Sequence, residues 1–228
     1  MRSLMAPHIL LIHSIHRPFL TGVAFPWVSL NLRARPFPIM PEFLRTSDWT
    51  PYPVELVFAF FANPGNLPHL MPNWQQARVE SSRFVAPPAR PLASDPTLRF
   101  QSPAAGVGSE MTISFRPVPK LPLRIGWLAR ITEFVWNSYF CDEQVKGPFA
   151  SWKHRHGIVS ELRPGETGQA VRGTLVSDEV EYELPLGPLG TIAHGLFVRR
   201  QMEATFVHRR QRLEEILPVA ARQAARRS

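Results

Sequence analysis

A single cysteine, Cys141, stands in the 228 residues, so no internal disulfide can form and the chain suits a reducing, cytoplasmic setting. It lies beside Asp142 with no base fixed next to it, which leaves a nucleophilic thiol without support. Long apolar runs are absent too. Ile9 to Ile12 is bounded by His8 and His13, and nothing approaches the roughly 20 apolar residues that a membrane helix needs. No transmembrane segment is expected. The G-x-S-x-G elbow, the P-loop and paired C-x-x-C motifs are missing, and Gly106 and Gly108 lack the third glycine of a dinucleotide loop. The sequence therefore implies no cofactor.

Acidic residues are scarce at both ends. Residues 1–41 carry Arg2, Arg17, Arg33 and Arg35 without an acid, and residues 209–228 carry six arginines against Glu214 and Glu215. These two stretches account for the whole formal charge of +8, so the part between them is neutral. A basic excess confined to the ends is not a folded face built for phosphate, and no specific nucleic-acid partner is expected. The arginine-rich end leaves a protein contact open as a further reading. Pro7, Pro18, Pro26, Pro36 and Pro38 would break the amphipathic helix of an organelle-targeting peptide. The expectation is that translation begins at Met40, that residues 1–41 are a disordered or spurious extension, that 42–217 form one domain, and that 218–228 are a basic tail.

Within that domain, Phe43–Thr50 reads as a strand, Val54–Ala62 as a helix with Val54, Val57, Phe58 and Phe61 on one face, and Leu67–Met71 as a second helical turn. Gln76–Val85 is a strand candidate. Five prolines between Ala86 and Gly108 forbid regular pairing, and this long loop is expected to be disordered and not a lid. Glu110–Arg116 alternates, with Met111, Ile113 and Phe115 on one face. Leu128–Phe140 reads as one long strand that runs into an arm with a turn at Gly147-Pro148. Arg172–Leu184 is the last strand. Pro185 to Pro188 then leads into a helix over Leu189–Leu217, with Ile192, Leu196, Met202, Phe206, Leu213 and Leu217 as its buried stripe and Arg199 and Arg209 or Arg210 beside it.

Parity concentrates the chemistry. Trp152, His154, His156 and Ile158 share one strand face, and Val176, Asp178, Val180 and Tyr182 share the apolar face of the last strand, opposite Glu179, Glu181 and Glu183. An isolated carboxylate on such a face either shifts its pKa upward or finds a cation, for which His154, His156 and an arginine are the candidates. The two histidines could also reach one metal ion with Asp178 as third ligand, but that spacing suits hydrogen-bonded histidines better, and no metal is assigned. Asp142 carries the same ambiguity as Asp178, between an ion pair and an acid or base, and could also simply cap the turn before Gly147.

The order Phe140, Asp142, Gln144, Gly147-Pro148-Phe149, Trp152, His154, His156, Asp178, Tyr182 and Pro185-Leu186-Gly187 resembles the SRPBCC (START-like) superfamily, in its polyketide cyclase/dehydrase or coenzyme Q-binding-like branch. Val57 to Phe61 with Asn63-Pro64 and Asn66-Leu67 resembles the start of the same domain. The resemblance implies an α+β helix-grip fold, in which a curved antiparallel sheet wraps a long C-terminal helix and two short N-terminal helices. It also implies a cavity for a lipophilic or aromatic small molecule, lined by Trp136, Phe149, Trp152, Met111, Phe115, Val176 and Leu196. In similar cyclases such a cavity folds a poly-ketone while polar groups assist aldol closure and loss of water. The alternative to a carrier or sensor is therefore an enzyme with His154, His156, Asp178 and Tyr182 as acid and base groups. Oligomeric state is not legible.

Overall fold

Seven strands form among the described residues: β1 (Glu42–Thr50), β2 (Arg78–Arg83), β3 (Glu110–Phe115), β4 (Ile125–Val135), β5 (Tyr139–Lys146), β6 (Ser151–Pro164) and β7 (Ala170–Glu183). They pair antiparallel in one sheet of order β1-β7-β6-β5-β4-β3-β2. The computed structural model describes residues 41–99, 102–185 and 197–225, all within one compact unit. Three α-helices among them accompany the sheet: α1 (Val54–Ala62), the four-residue α2 (Leu67–Leu70) and α3 (Arg199–Ala225). This curved sheet with a long C-terminal helix and short N-terminal ones is the helix-grip architecture.

Helix α1 follows Pro53, whose extended backbone and carbonyl open the first turn, and it stops at Asn63 before Pro64, where the chain cannot continue helically. Val57 and Phe58 are fully buried and join Phe134, Phe140, Ile158, Val176, Leu213 and Leu217 in the larger core. A second core gathers Trp152, Val180, Tyr182 and Met202, with Phe149 and Phe206 against it. Burying a large apolar side chain contributes about 1.5–3 kcal/mol, so these two clusters hold α3 to the sheet at Met202 and again at Leu213 and Leu217.

Three expectations change. The stretch Leu128–Phe140 is a hairpin and not one strand: Asn137 takes a left-handed backbone (φ 54) and Ser138 N–H donates to Val135 C=O at 3.2 Å. Asparagine adopts that conformation at lower cost than most residues, and the turn carries neither Gly nor Pro to betray it. The loop 86–108 is anchored where it is described. Trp136 Nε1 donates to Pro88 C=O at 2.7 Å, the Arg90 guanidinium lies 4.4 Å from the Trp136 ring centre, and Ala105 N–H donates to Ala62 C=O at 3.0 Å. Proline blocks ladder pairing there without preventing docking. Finally, α3 passes Leu217 and contains Pro218, because Val219 to Ala225 is rich in the strongest helix former and sustains the turns beyond it. Residues 218–225 are thus helical; the helix expected over 189–196 lies outside the described residues.

Candidate ligand-binding site

Register brings the chemistry-bearing residues together. Across β5 and β6, Asp142 pairs with His154 and Phe140 with His156; across β6 and β7, His154 pairs with Val180 and His156 with Asp178. All six sit on the face that α3 covers, because opposed residues in a ladder point to the same side. The helix adds Phe206 and Arg209, one turn apart.

A hollow of about 230 Å³ lies between this face and the helices. Phe61, Leu67, Leu70 and Met71 wall it from the N-terminal helices and the residue after them, Met111 and Ile113 from β3, and Trp127, Ala129 and Ile131 from β4. Asp142, Trp152, His154 and His156 close it from β5 and β6, Phe206 and Arg209 from α3. The volume is just below the usual 300–1,000 Å³ of small-molecule sites, so it suits a small ligand or the head of a longer one.

One edge of this apolar hollow is a charged network. His154 Nε2 and Arg209 Nη1 each donate to Asp178 Oδ1 at 2.9 Å, and Thr46 Oγ1 donates to Asp178 Oδ2 at 3.2 Å. His156 Nε2 donates to Asp142 Oδ2 at 2.8 Å, and its Nδ1 lies 3.3 Å from Asp178 Oδ1. The two imidazole centres are 3.7 Å apart, and His156 stacks on Phe140 at 4.3 Å.

Burial opposes ionisation of Asp178, but the Arg209 charge and the hydrogen bonds of both histidines outweigh it and hold the carboxyl well below its usual range. Asp142 is also held low: burial works against its charge, and the His156 hydrogen bond with the two imidazoles prevails. The histidines move apart. Burial first and the neighbouring His156 second push His154 down, despite Asp178 and Asp142. Burial also works against His156, yet its hydrogen bond to Asp142 and the two nearby carboxylates win and its pKa rises. Of two imidazoles on one wall, His154 is thus biased toward its neutral form and His156 toward its protonated one.

Of the residues expected at the site, His154, His156, Trp152 and Met111 line the hollow. Asp178 stands behind the histidines, 4% exposed. Tyr182 and Phe149 pack beside Trp152 in the second core and do not line the hollow; burial, then Glu42, push the Tyr182 phenol up to about 12. Phe115 packs 6.1 Å from Trp127, centre to centre, outside the lining, and Val176 belongs to the larger core. Trp136 lies against Phe58 and Phe134 under Pro88 and Arg90, away from the hollow. Leu196 is outside the described residues. Of the readings open for Asp142, the paired one holds: it faces the histidines, and Phe206, Arg209 and Trp127 complete the wall. Ligand atoms of Asp142, His154 and His156 lie within 4.8 Å of one another, so Asp142 could join the two imidazoles around a cation, whereas Asp178 Oδ1 already accepts from Arg209. Both Nε2 atoms are already committed to carboxylates.

No curated protein matches the chain. Among solved structures, TTHA0849 from Thermus thermophilus aligns with a TM-score of 0.49 at 19% identity, over 78% of this chain and 99% of that one. Ara h 8.0201 aligns at 0.47 and 11% identity over 79% and 99%, and norcoclaurine synthase from Thalictrum flavum at 0.44 and 13% over 77% and 88%. Likenesses of this size bear on neither ligand nor activity. The sequence profile described as "Polyketide cyclase / dehydrase and lipid transport" matches residues 50–209, and the chain belongs to that family.

Proposed function

We propose that this protein binds an apolar or aromatic small molecule in the hollow beneath α3, as a carrier or sensor. What carries the reading is the hollow itself: an apolar chamber with one polar edge, the combination that lets burial supply affinity and a few hydrogen bonds supply orientation. Family membership supports it. Ala129, whose side chain is small and lines the chamber, gives the test. Ala129→Trp fills the space, and uptake of a fluorescent naphthalene dye should fall at least about tenfold while the fold is kept, since lost apolar burial costs about 25 cal/mol per Å². Unchanged uptake would remove the chamber as the binding site.

A second reading has a specific observation behind it. His154 and His156 are driven in opposite directions, so one face offers a base and an acid side by side, as aldol closure followed by loss of water requires. Turnover of a poly-β-ketone mimic that disappears in His156→Ala would establish it. Binding without turnover leaves the carrier.

A further inference from the structure

Arg209 is paired with one carboxylate and lies against two aromatic rings. Its Nη1 is paired with Asp178 Oδ1 at 2.9 Å, its guanidinium lies 4.6 Å from the Phe61 ring centre and 5.7 Å from that of Phe206, and its side chain is 11% exposed. Two of its donors, Nε and Nη2, are buried without a hydrogen-bond partner among the described residues, although the residue lines the hollow. Buried polar groups left unpaired are costly, so a native structure leaves them so where something else completes them. The Trp127 indole N–H, in the same lining, is likewise buried and unpartnered. These free groups are donors, and a ligand that satisfies them must bring an acceptor.

The charge of that acceptor follows from its neighbours. Asp142 lines the hollow and Asp178 lies behind it, and both carboxyls are held in the ionised form. Arg209 is paired with Asp178, and His156, the imidazole whose pKa is raised, with Asp142. A third carboxylate would enter a poorly hydrated site with no cation left to match it.

We propose that Arg209 is the residue that decides ligand specificity, donating through Nε and Nη2 to an uncharged oxygen acceptor, a ketone, quinone or ester carbonyl, and that the hollow rejects free carboxylic acids of the same shape. This rests on the hollow being the ligand site.

Three probes of nearly equal shape test it on the full chain by titration calorimetry at pH 7.5: 2-ethylnaphthalene, 2-acetylnaphthalene and 2-naphthoate. The ketone should bind about tenfold more tightly than the hydrocarbon, the lower end of what a hydrogen bond to a charged donor contributes, and the carboxylate more weakly than the ketone. In Arg209→Lys, which keeps a charge for Asp178 but loses the fork, the ketone-to-hydrocarbon ratio should drop below about threefold. A second measurement needs no variant: an arginine Nε–H resonance protected from solvent exchange should move on adding the ketone and stay in place with the hydrocarbon. Equal binding of ketone and hydrocarbon, tightest binding of the carboxylate, or a ratio that survives Arg209→Lys overturns the anchor and leaves the binding site standing. If none of the three probes binds, the site assignment falls, and this inference with it.

Discussion

Asp178→Asn isolates the charge at the centre of the network. The replacement keeps shape and one acceptor, but it leaves Arg209, itself largely buried, facing an uncharged amide. Removing one partner of a buried pair costs about 3–5 kcal/mol because the other charge is left uncompensated. In a domain of this size each kcal/mol lowers Tm by about 2–4 °C, so the variant should melt roughly 6–20 °C below the parent at pH 7. Calorimetric melts of Asp178→Asn, Arg209→Met and the double variant separate pairing from packing. The double variant, with both charges gone, should lie at least about 2 kcal/mol above the sum of the single losses. The pH dependence has a definite sign. The carboxyl is depressed in the folded state, so its contribution is present above its unfolded value near pH 4 and is lost as pH falls through the folded one. The gap between parent and variant should therefore close in acid. A variant within about 1 kcal/mol of the parent at pH 7, or a gap that is the same at pH 3 and pH 7, would refute the view that Asp178 is stabilised chiefly by Arg209 and the histidines.

Three further outcomes are expected. His156 is raised in the fold, so its contribution is present in full below about pH 6.5 and fades as pH rises through the folded value. His156→Gln, losing a hydrogen bond to a charged group, should cost about 1.5–3 kcal/mol in urea melts, with a larger deficit at pH 5.5 than at pH 8. His154 is lowered, and the sign reverses: the unfolded chain takes up the proton first as pH falls below about 6.5, so the deficit of His154→Gln should be the smaller one at pH 5.5. Deficits independent of pH in both variants would contradict the opposed shifts. Gly106→Ala would place a Cβ 2.5 Å from Pro87 Cα, a backbone atom that cannot step aside cheaply. It should cost about 1–3 kcal/mol and speed proteolysis within 86–99, and a neutral result would mean that the loop is not seated there.

The sheet was legible because its strands obey parity. Trp152, His154, His156 and Ile158 are all buried while Ser151 and Lys153 are exposed, and the three glutamates of β7 face away from Asp178, as a period of two requires. Helix α1 was legible to the residue, because Pro53 and Pro64 bound it chemically. The β4–β5 hairpin was not, since its turn is made by an asparagine within an aromatic run, where branched and aromatic side chains favour strand on both sides of the bend. Parity also stops at the strand it describes. It orients Tyr182 toward the covered face, and it does so correctly, yet whether that face meets a chamber or packed side chains at that height depends on Met202 and Phe149, which come from elsewhere in the chain.

The roles of Asp142 and Arg209 were left open for the same reason, and together they decide what the histidines do. The place of Asp142 opposite His154 is set by the length of the turn after Lys146, because a slip of one residue would send its carboxylate to the other face. The place of Arg209 depends on how α3 is rotated, and that is fixed by Met202, Leu213 and Leu217 finding their two cores. Once there, Arg209 keeps Asp178 ionised and also opposes protonation of His156, while Asp142 favours it. His154 has the nearby imidazole working against it in addition to burial, and so it stays neutral. The division of one wall into an acidic and a basic imidazole is therefore not a property of the H-x-H spacing. It is produced by one turn and one helix rotation, each of which places a charge that the spacing alone could not assign.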